Sequence, residues 1–557
     1  MEKRAILAAV LMAGLLILYQ TLFAPAPPPP APVQAPVEPK PAPLPPPTPL
    51  PQKVQRPADI PRRMVFVESP LFHATVGSDG GKLHDWVLHY RGDKPMVVPG
   101  ALGPRGVMVQ RPGGAAEGVA FTVKEERLTL GPHRPRGELA LTGQDAFGLR
   151  VTEALRFEAQ DFRVEIALRL ENRQAVPQLV ELLLPWSTPK KWPEDQKEGF
   201  QGQRPTRVIR HSGGEIHRDD LEKVGDVTDE GRWVGLESDW YLAAWIPLTP
   251  GFKLVASKGG NGTVEISLKA TPPPLASGQV WEGRALLYVG PKEYDRLKAL
   301  GVGLEGAIDF GGFPLPRRYG GLPMEWLGVP ILWLMNFFTR YIGNYGLAII
   351  LLTVITKILF YPLTLKSLAS MKAMQALQPQ INALRAKYAK DPQRLQRETM
   401  ELYRKHKVNP MGGCLPMVIQ IPIFYALYLV FQYAVELQNA AFLCIGKAPG
   451  WLPLLGGEEL WICNLAHYDP TYVLPVLMGV SMFVQQKMSP TVGDPRQAKV
   501  MLVLPLVFTF MFLNLPSGLV LYWFVSNVLQ ILQQHYMDRR GRSVKISGKE
   551  AKEGQRA

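Results

Sequence analysis

Apolar and polar residues alternate in two registers along this chain, and the switch between them divides it. Between positions 62 and 309 the period is two. In Phe162-Arg163-Val164-Glu165-Ile166-Ala167-Leu168-Arg169-Leu170-Glu171, and again in Gly262-Thr263-Val264-Glu265-Ile266-Ser267-Leu268-Lys269, apolar side chains fall mostly on one face, as half-buried strands require. No apolar run here is long enough to span a bilayer, and Gly/Pro-rich breaks separate the strand candidates. The pattern predicts an all-β sandwich of many antiparallel strands over 62–309. Ahead of it, Met1-Glu2-Lys3-Arg4 and the apolar run 5–23 predict a signal anchor over 1–24. Ala24-Pro25-Ala26 offers a small-x-small site, but Pro27 follows the bond to be cut, so the anchor is expected to stay. Segment 25–61 is dominated by proline and alanine, which favours an extended spacer over a core.

After Asp309 the apolar runs lengthen. The segment 310–342 ends in a stretch rich in Trp and Phe with Pro330 in its middle, which predicts a linker and an amphipathic interfacial helix. The run 343–361, within a segment 343–365, reads as the second span. The loop 366–409 carries Lys366, Lys372, Arg385, Lys387, Lys390, Arg394, Arg397, Arg404, Lys405 and Lys407 against Asp391, Glu398 and Glu401, so it belongs in the cytoplasm. Lys390-Asp391-Pro392 splits it into helix-length pieces, 367–389 and 393–406, a helical hairpin. Segment 410–536 is read as four further spans. The run 414–435 crosses outward, the acidic loop 436–470 lies outside, 471–486 returns, and 500–532 folds back on itself at Asn514-Leu515-Pro516-Ser517-Gly518. A basic tail, 537–557, follows. The predicted whole is a polytopic α-helical membrane protein of about six spans, both termini cytoplasmic, with the β domain exported. The run 500–512 would rise only about 20 Å, so local thinning of the bilayer is expected.

With 557 residues, 46% of them hydrophobic, the chain needs more than one domain and two kinds of solvent. The net charge of +14 is concentrated in loop 366–409 and the tail, where topology-setting charge and contact with ribosomal RNA are both open readings. Three cysteines exclude a disulfide framework, and no Cys/His cluster suggests a metal, so no cofactor is expected. Cys444 and Cys463 share the exported loop; two free thiols are the first expectation there and a single disulfide the second. Asp219, Asp220, Asp239, His211 and His217 show no acid/base or metal spacing and read as solvated loops and strand edges. Lys357 is different, because it lies inside an apolar span. An uncompensated lysine at a span centre costs roughly 2.5–3.5 kcal/mol on insertion scales. It must either snorkel to the headgroups or face a polar interior. Thr353 lies one turn away on the same helical face, and other spans carry Gln420, Gln432, Gln485, Gln486, Asn527 and Gln530. This company favours a wet cavity open to the cytoplasm that could hold a polar or acidic segment in transit.

In order along the chain stand Tyr361-Pro362-Leu363-Thr364, Leu377-Gln378-Pro379, Asn409-Pro410-Met411-Gly412-Gly413-Cys414, Gln420-Ile421-Pro422-Ile423-Phe424, Gln486-Lys487-Met488-Ser489-Pro490 and Pro516-Ser517-Gly518-Leu519-Val520-Leu521-Tyr522. Over essentially 343–536 these closely resemble the YidC/Oxa/Alb3 insertase family, and the anchor, linker and exported domain agree with its Gram-negative type. The resemblance implies a five-helix insertase core with a hydrophilic groove open to cytoplasm and lipid and closed outside. It also implies that the exported domain is a super-sandwich similar to sugar-binding folds. The family's positive groove residue, five positions before the proline of Tyr-Pro-Leu-Thr, falls on Lys357. Most members look to have arginine there, so this chain keeps the charge but loses the planar fork. Thr353, Tyr522 and Trp523 match positions that resemble groove and substrate-contact sites. The implied activity is insertion and folding of nascent membrane proteins in the bacterial inner membrane, alone or with the Sec translocon, with the ribosome as a further partner through hairpin and tail.

Two rivals lack their signatures. A secondary transporter would show repeated halves and helices broken near the midplane, and an intramembrane protease would show HExxH, GxSxG or paired aspartates. An assembly chaperone without autonomous insertion remains open, since it too binds apolar segments. Nor is there a P-loop sequence, so insertion would have to run on burial of the client's apolar span.

Overall fold

Strict alternation produces long strands. In Leu149–Glu158 and Arg163–Asn172, Val151, Leu155, Phe157, Val164, Ile166, Leu168 and Leu170 are buried, and the charged residues between them are not, with one exception, Glu153. The two strands pair antiparallel with Val151 opposite Leu170 and Phe157 opposite Val164, so apolar side chains meet across the ladder. They belong to a nine-stranded sheet ordered Glu215–Asp220, Arg207–Ser212, Gly231–Glu237, Tyr241–Pro247, Val280–Pro291, Arg163–Asn172, Leu149–Glu158, Arg136–Gln144, Ala120–Thr122. A seven-stranded sheet built around Glu181–Pro189, Thr263–Ala270 and Phe252–Lys258 lies against it: Gly231–Glu237 contacts both of the latter strands. A five-stranded sheet, begun by the hairpin Met64–Glu68 and Phe72–Gly77, completes the domain. The period-two pattern fails in Tyr241–Pro247, where every residue but the last is buried. A strand covered on both faces reads as a continuous apolar run.

The computed structural model describes residues 62–98, 101–192, 204–259, 262–310, 324–389, 391–406, 408, 415–447, 459–488 and 495–539. The expected anchor 1–24, the spacer 25–61, Cys414 with the stretch 409–414, and most of the basic tail lie outside them.

A short helix, α1 (Tyr294–Ala299), follows the last long strand. The segment behind it is tied back to the sheet by buried charge. Glu237, fully buried, meets Lys292 at 3.1 Å and Arg207 at 3.1 Å, and Arg207 reaches Asp309 at 3.3 Å. Helix α2 (Glu325–Ile342) ends at Gly343, whose φ of 74° is the left-handed conformation that closes a helix without a Cβ clash. Asn344 then caps α3 (Tyr345–Leu359), its side chain accepting from the Leu347 amide.

Three sequence expectations need correction here. The second span is not one straight helix: it breaks at Phe360, and α4 (Tyr361–Ala376) leaves it at a bend of 61°. Pro362 supplies no amide to continue the ladder and disfavours helical geometry in the residue before it. The first arm of the hairpin, expected as 367–389, is likewise two pieces, since α4 ends at Ala376 and α5 (Gln378–Lys387) starts afresh with Pro379 in its first turn. The second arm, α6 (Pro392–Lys405), starts on an Asp391 cap. After α7 (Leu415–Tyr433) and α8 (Val473–Met488), α9 (Pro495–Phe512) begins at Pro495 and not at 500. Its 18 residues rise about 27 Å, but the turn gained at its start is Pro495-Arg496-Gln497-Ala498-Lys499, and its apolar part, Val503–Phe512, is still short. The last helix is α10 (Ser517–Arg539).

Among the described residues no single helix is long and apolar enough to cross a membrane; α3 and α4 meet the test as a bent pair. The helices nonetheless expose apolar side chains in rows. Leu347, Leu351, Ile355 and Ile358 line one side of α3, Val473, Val476, Val480 and Val484 one side of α8, and Val503, Leu506, Val507 and Phe510 one side of α9. Contiguous apolar surface of this kind marks a face that water does not cover in use.

The free-thiol expectation also fails. Cys444 and Cys463 are joined by a disulfide, in a loop whose two short strands, Leu443–Lys447 and Glu459–Ile462, pair antiparallel. The same loop holds the start of α10, where the Ser517 and Gly518 amides donate to the carbonyls of His467 and Leu465.

Candidate functional site

Helix α10 is the hub of the polar residues because it packs on α3, α7 and α8 together. Toward α3 and α7 its polar residues make two sets of contacts. The Lys357 ammonium, half-buried on α3, donates to Gln530 Oε1 of α10 at 3.1 Å. The Tyr522 hydroxyl, on the same helix two turns earlier, shares hydrogen bonds with the side chains of Gln420 on α7 and Thr356 on α3. Thr356 in turn donates to the Thr353 carbonyl at 2.8 Å. Tyr522 thus joins α10 to Gln420 of α7 and Thr356 of α3, while the cation of α3 is paired with a neutral amide of α10. That amide satisfies and orients the ammonium without cancelling its charge.

Thr353 is placed differently from what its helical position suggested. It is fully buried, and its hydroxyl donates to the Ile349 carbonyl one turn back at 2.7 Å, so its polar atom is spent within its own helix. Trp523 is half-buried in an aromatic cluster with Phe424 of α7 and Phe508 and Phe512 of α9, its ring centroid 4.6 Å from Phe424 and 5.2 Å from Phe512. Asn527 faces α8, where its amide donates to Ser481 Oγ at 3.1 Å. Gln486 is half-buried near the end of α8. The structure therefore brings Gln420 and Tyr522 of the expected set together, pairs Lys357 with Gln530 instead, sets Asn527 in an α8–α10 contact, and turns Trp523 to α7 and α9.

Sequence reading noticed Gln530 but did not place it in the site, and it passed over Thr356 and Ser481. The signal for Gln530 was available: it lies two turns beyond Tyr522 on a helix, close to the same face. No such spacing identifies Thr356, because the partner that gives it meaning sits on another helix.

At the end of the bundle nearest the β domain, helices and loop pack closely. A Cβ on Gly346, in the first turn of α3, would fall 2.1 Å from the Phe442 ring of the exported loop, and one on Gly518, in the first turn of α10, 3.2 Å from Phe431 of α7. Ser517 Oγ donates to the Asn464 carbonyl at 3.0 Å. Small residues at these places let helix and loop approach closely.

Comparison with known proteins covers nearly the whole chain. Residues 65–334 match the model of the YidC periplasmic domain, and 337–544 that of the 60 kDa inner membrane protein family. The chain is 36% identical to the membrane protein insertase YidC of Syntrophus aciditrophicus over 97% of its own length and 100% of that protein. It is 37% identical to the same-named protein of Geobacter sulfurreducens over 85% of each. Among solved structures, a crystal structure described as an active YidC insertase with its first transmembrane domain resolved is similar at 20% identity and a TM-score of 0.37, covering 95% of this chain and 99% of that one.

Proposed function

This chain belongs to the YidC family of membrane protein insertases, and from that premise we propose that it passes the polar ends of client proteins into the inner membrane along the cluster centred on Lys357. The observation that carries the reading is the pairing of Lys357 with Gln530. An ammonium paired with a carboxylate would be neutralised; one held by an amide keeps a full charge to offer a client's acidic tail or carboxylate. Tyr522, Gln420 and Thr356 add hydrogen-bonding groups between the same helices, and they would lower the cost of stripping water from a polar segment in transit.

The energy for the step comes from the client. Burying a span of about 20 apolar residues in lipid offsets the transfer of a short polar tail. The exposed apolar rows on α3, α8 and α9 are the surfaces that face lipid, with the β domain outside and the α5–α6 hairpin and both termini in the cytoplasm. Acting on clients brought by the ribosome or released by the Sec translocon, the same cluster would serve as a folding chaperone.

The test is insertion of a short single-span protein into liposomes that contain only this purified chain, read by protease protection. Protected product above empty liposomes is the expected result. Protection that arises only when Sec components are added would reduce the chain to a Sec-dependent chaperone.

A further inference from the structure

The exported sheets and the helices meet at a junction that the Lys357 cluster does not use. Trp240 Nε1 donates to the Gln432 carbonyl at the end of α7 at 3.0 Å, and the Tyr241 hydroxyl donates to Gln438 Oε1 at 2.8 Å. Arg91, at the tip of a hairpin of the five-stranded sheet, donates to the Gln438 carbonyl at 2.6 Å, and Asn439 Nδ2 donates back to the Arg91 carbonyl at 3.1 Å. Arg91 has a φ of 51° and Asn439 one of 53°. Left-handed backbone at a non-glycine residue is held there only by its surroundings.

Between these contacts lies Glu436, in the turn after α7, 7% exposed, with Oε2 lacking a hydrogen-bond partner. The charged and titratable groups around it come from each packed element. Tyr90 and Arg91 belong to the hairpin tip, Tyr288 to the last long strand, Glu293 and Tyr294 to the start of α1, and Tyr345 to the start of α3. Glu293 is engaged by Arg296 at 2.8 Å, and the Arg91 guanidinium is committed to the Gln438 carbonyl. Glu436 therefore faces a like charge and a cation already in use, in a buried place.

We propose that this junction is a pH-sensitive latch, in which the protonated Glu436 carboxyl holds the exported domain on the helices and its ionisation loosens that contact. Burial pushes the Glu436 carboxyl up to about 7; Glu293 reinforces the rise, while backbone amides at Glu436 and Tyr294 and the Arg91 cation oppose it. Set free in water, the same carboxyl titrates near 4.5. Because the docked form has the higher value, docking is strongest below the lower value, weakens as pH rises between the two, and is level above the higher. The docking equilibrium should shift by about 300-fold at most across that window. The latch is independent of how clients are handled at Lys357.

The experiment uses the full chain in lipid nanodiscs, with spin labels on Glu282→Cys in the exported sheet and Glu325→Cys on α2, and follows the distance distribution from pH 5 to 8.5. The expected result is a docked distance that loses population as pH rises in the parent, and one that stays populated throughout in Glu436→Gln, whose amide mimics the protonated acid. Arg91→Ala is expected to lower the docked population at every pH while keeping the dependence. A parent distance that does not change with pH, or a Glu436→Gln profile that follows the parent's, overturns the proposal.

Discussion

Glu153 breaks the alternation that builds its strand, and the reason lies in what surrounds it. It is 2% exposed at the place where the three sheets meet, among Leu155, Val164, Trp245 and Leu287, and its Oε2 lacks a hydrogen-bond partner. The space it fills is left by Gly81, where a Cβ would lie 1.9 Å from that oxygen. Burial pushes its carboxyl up to about 8. The folded state therefore prefers the protonated acid, whereas the unfolded chain ionises near 4.5. The sign follows: stability from this residue is intact below the lower value, falls as pH rises toward the higher, and is level beyond, a loss that can reach several kcal/mol. Glu153→Gln should flatten this slope, so that wild type and variant converge at acidic pH and the variant is the more stable at pH 8, measured by chemical unfolding of the full chain in detergent. Equal slopes would mean that the carboxyl is solvated. At this scale the sequence was partly legible. Lys357 stood out because a charge inside an apolar run has to be explained, and Glu153 was hidden because an acid at an inward strand position looks like a lapse in the pattern.

Elements were legible where one physical cause sets them. Period two gave the strands Arg163–Asn172 and Thr263–Ala270, and the Asn514 to Gly518 turn falls where α9 and α10 separate, with α10 starting at Ser517. Breaks were harder. Pro516 was read as part of a turn, but Pro362 and Pro379 were not read as breaks, although each stands in the first turn of a new helix. The disulfide was not decidable from spacing: whether two cysteines in one loop meet depends on strand pairing between 443–447 and 459–462, and the structure pairs Cys444 directly with Trp461, two residues before Cys463. The bond closes a loop with a sequence separation of 19 residues. A loop of that length stabilises by about 3 kcal/mol through the entropy it removes from the unfolded chain. Reduction, or the double change Cys444→Ser with Cys463→Ser, should lower the unfolding midpoint accordingly. It should also raise hydrogen exchange at the Ser517 and Gly518 amides, which the loop's carbonyls hold. An unchanged midpoint together with unchanged exchange would show that the strand pairing alone fixes the loop.

The whole molecule is built for two surroundings. Its sheets carry paired surface charges, such as Arg169 with Glu282 and Arg156 with Glu138, while α3, α8 and α9 turn rows of valine, leucine and isoleucine outward. One end of the bundle packs on the disulfide-bonded loop, where Gly346 meets Phe442, and Gly518 meets Phe431 of α7. On the proposed reading, a client's polar tail enters from the cytoplasm, rests beside the charge, and leaves as its apolar span meets lipid. The account turns on the charge at Lys357. The most direct measurement is protease-protected insertion of a single-span client with an acidic tail, and of the same client with a neutral tail, into liposomes containing only wild type, Lys357→Arg or Lys357→Ala. Loss of a contact of about 1.4 kcal/mol corresponds to a tenfold change. The account predicts that Lys357→Ala loses about tenfold for the acidic tail and little for the neutral one, with Lys357→Arg near wild type. Equal insertion by all three chains would contradict it and leave Lys357 as a snorkelling anchor.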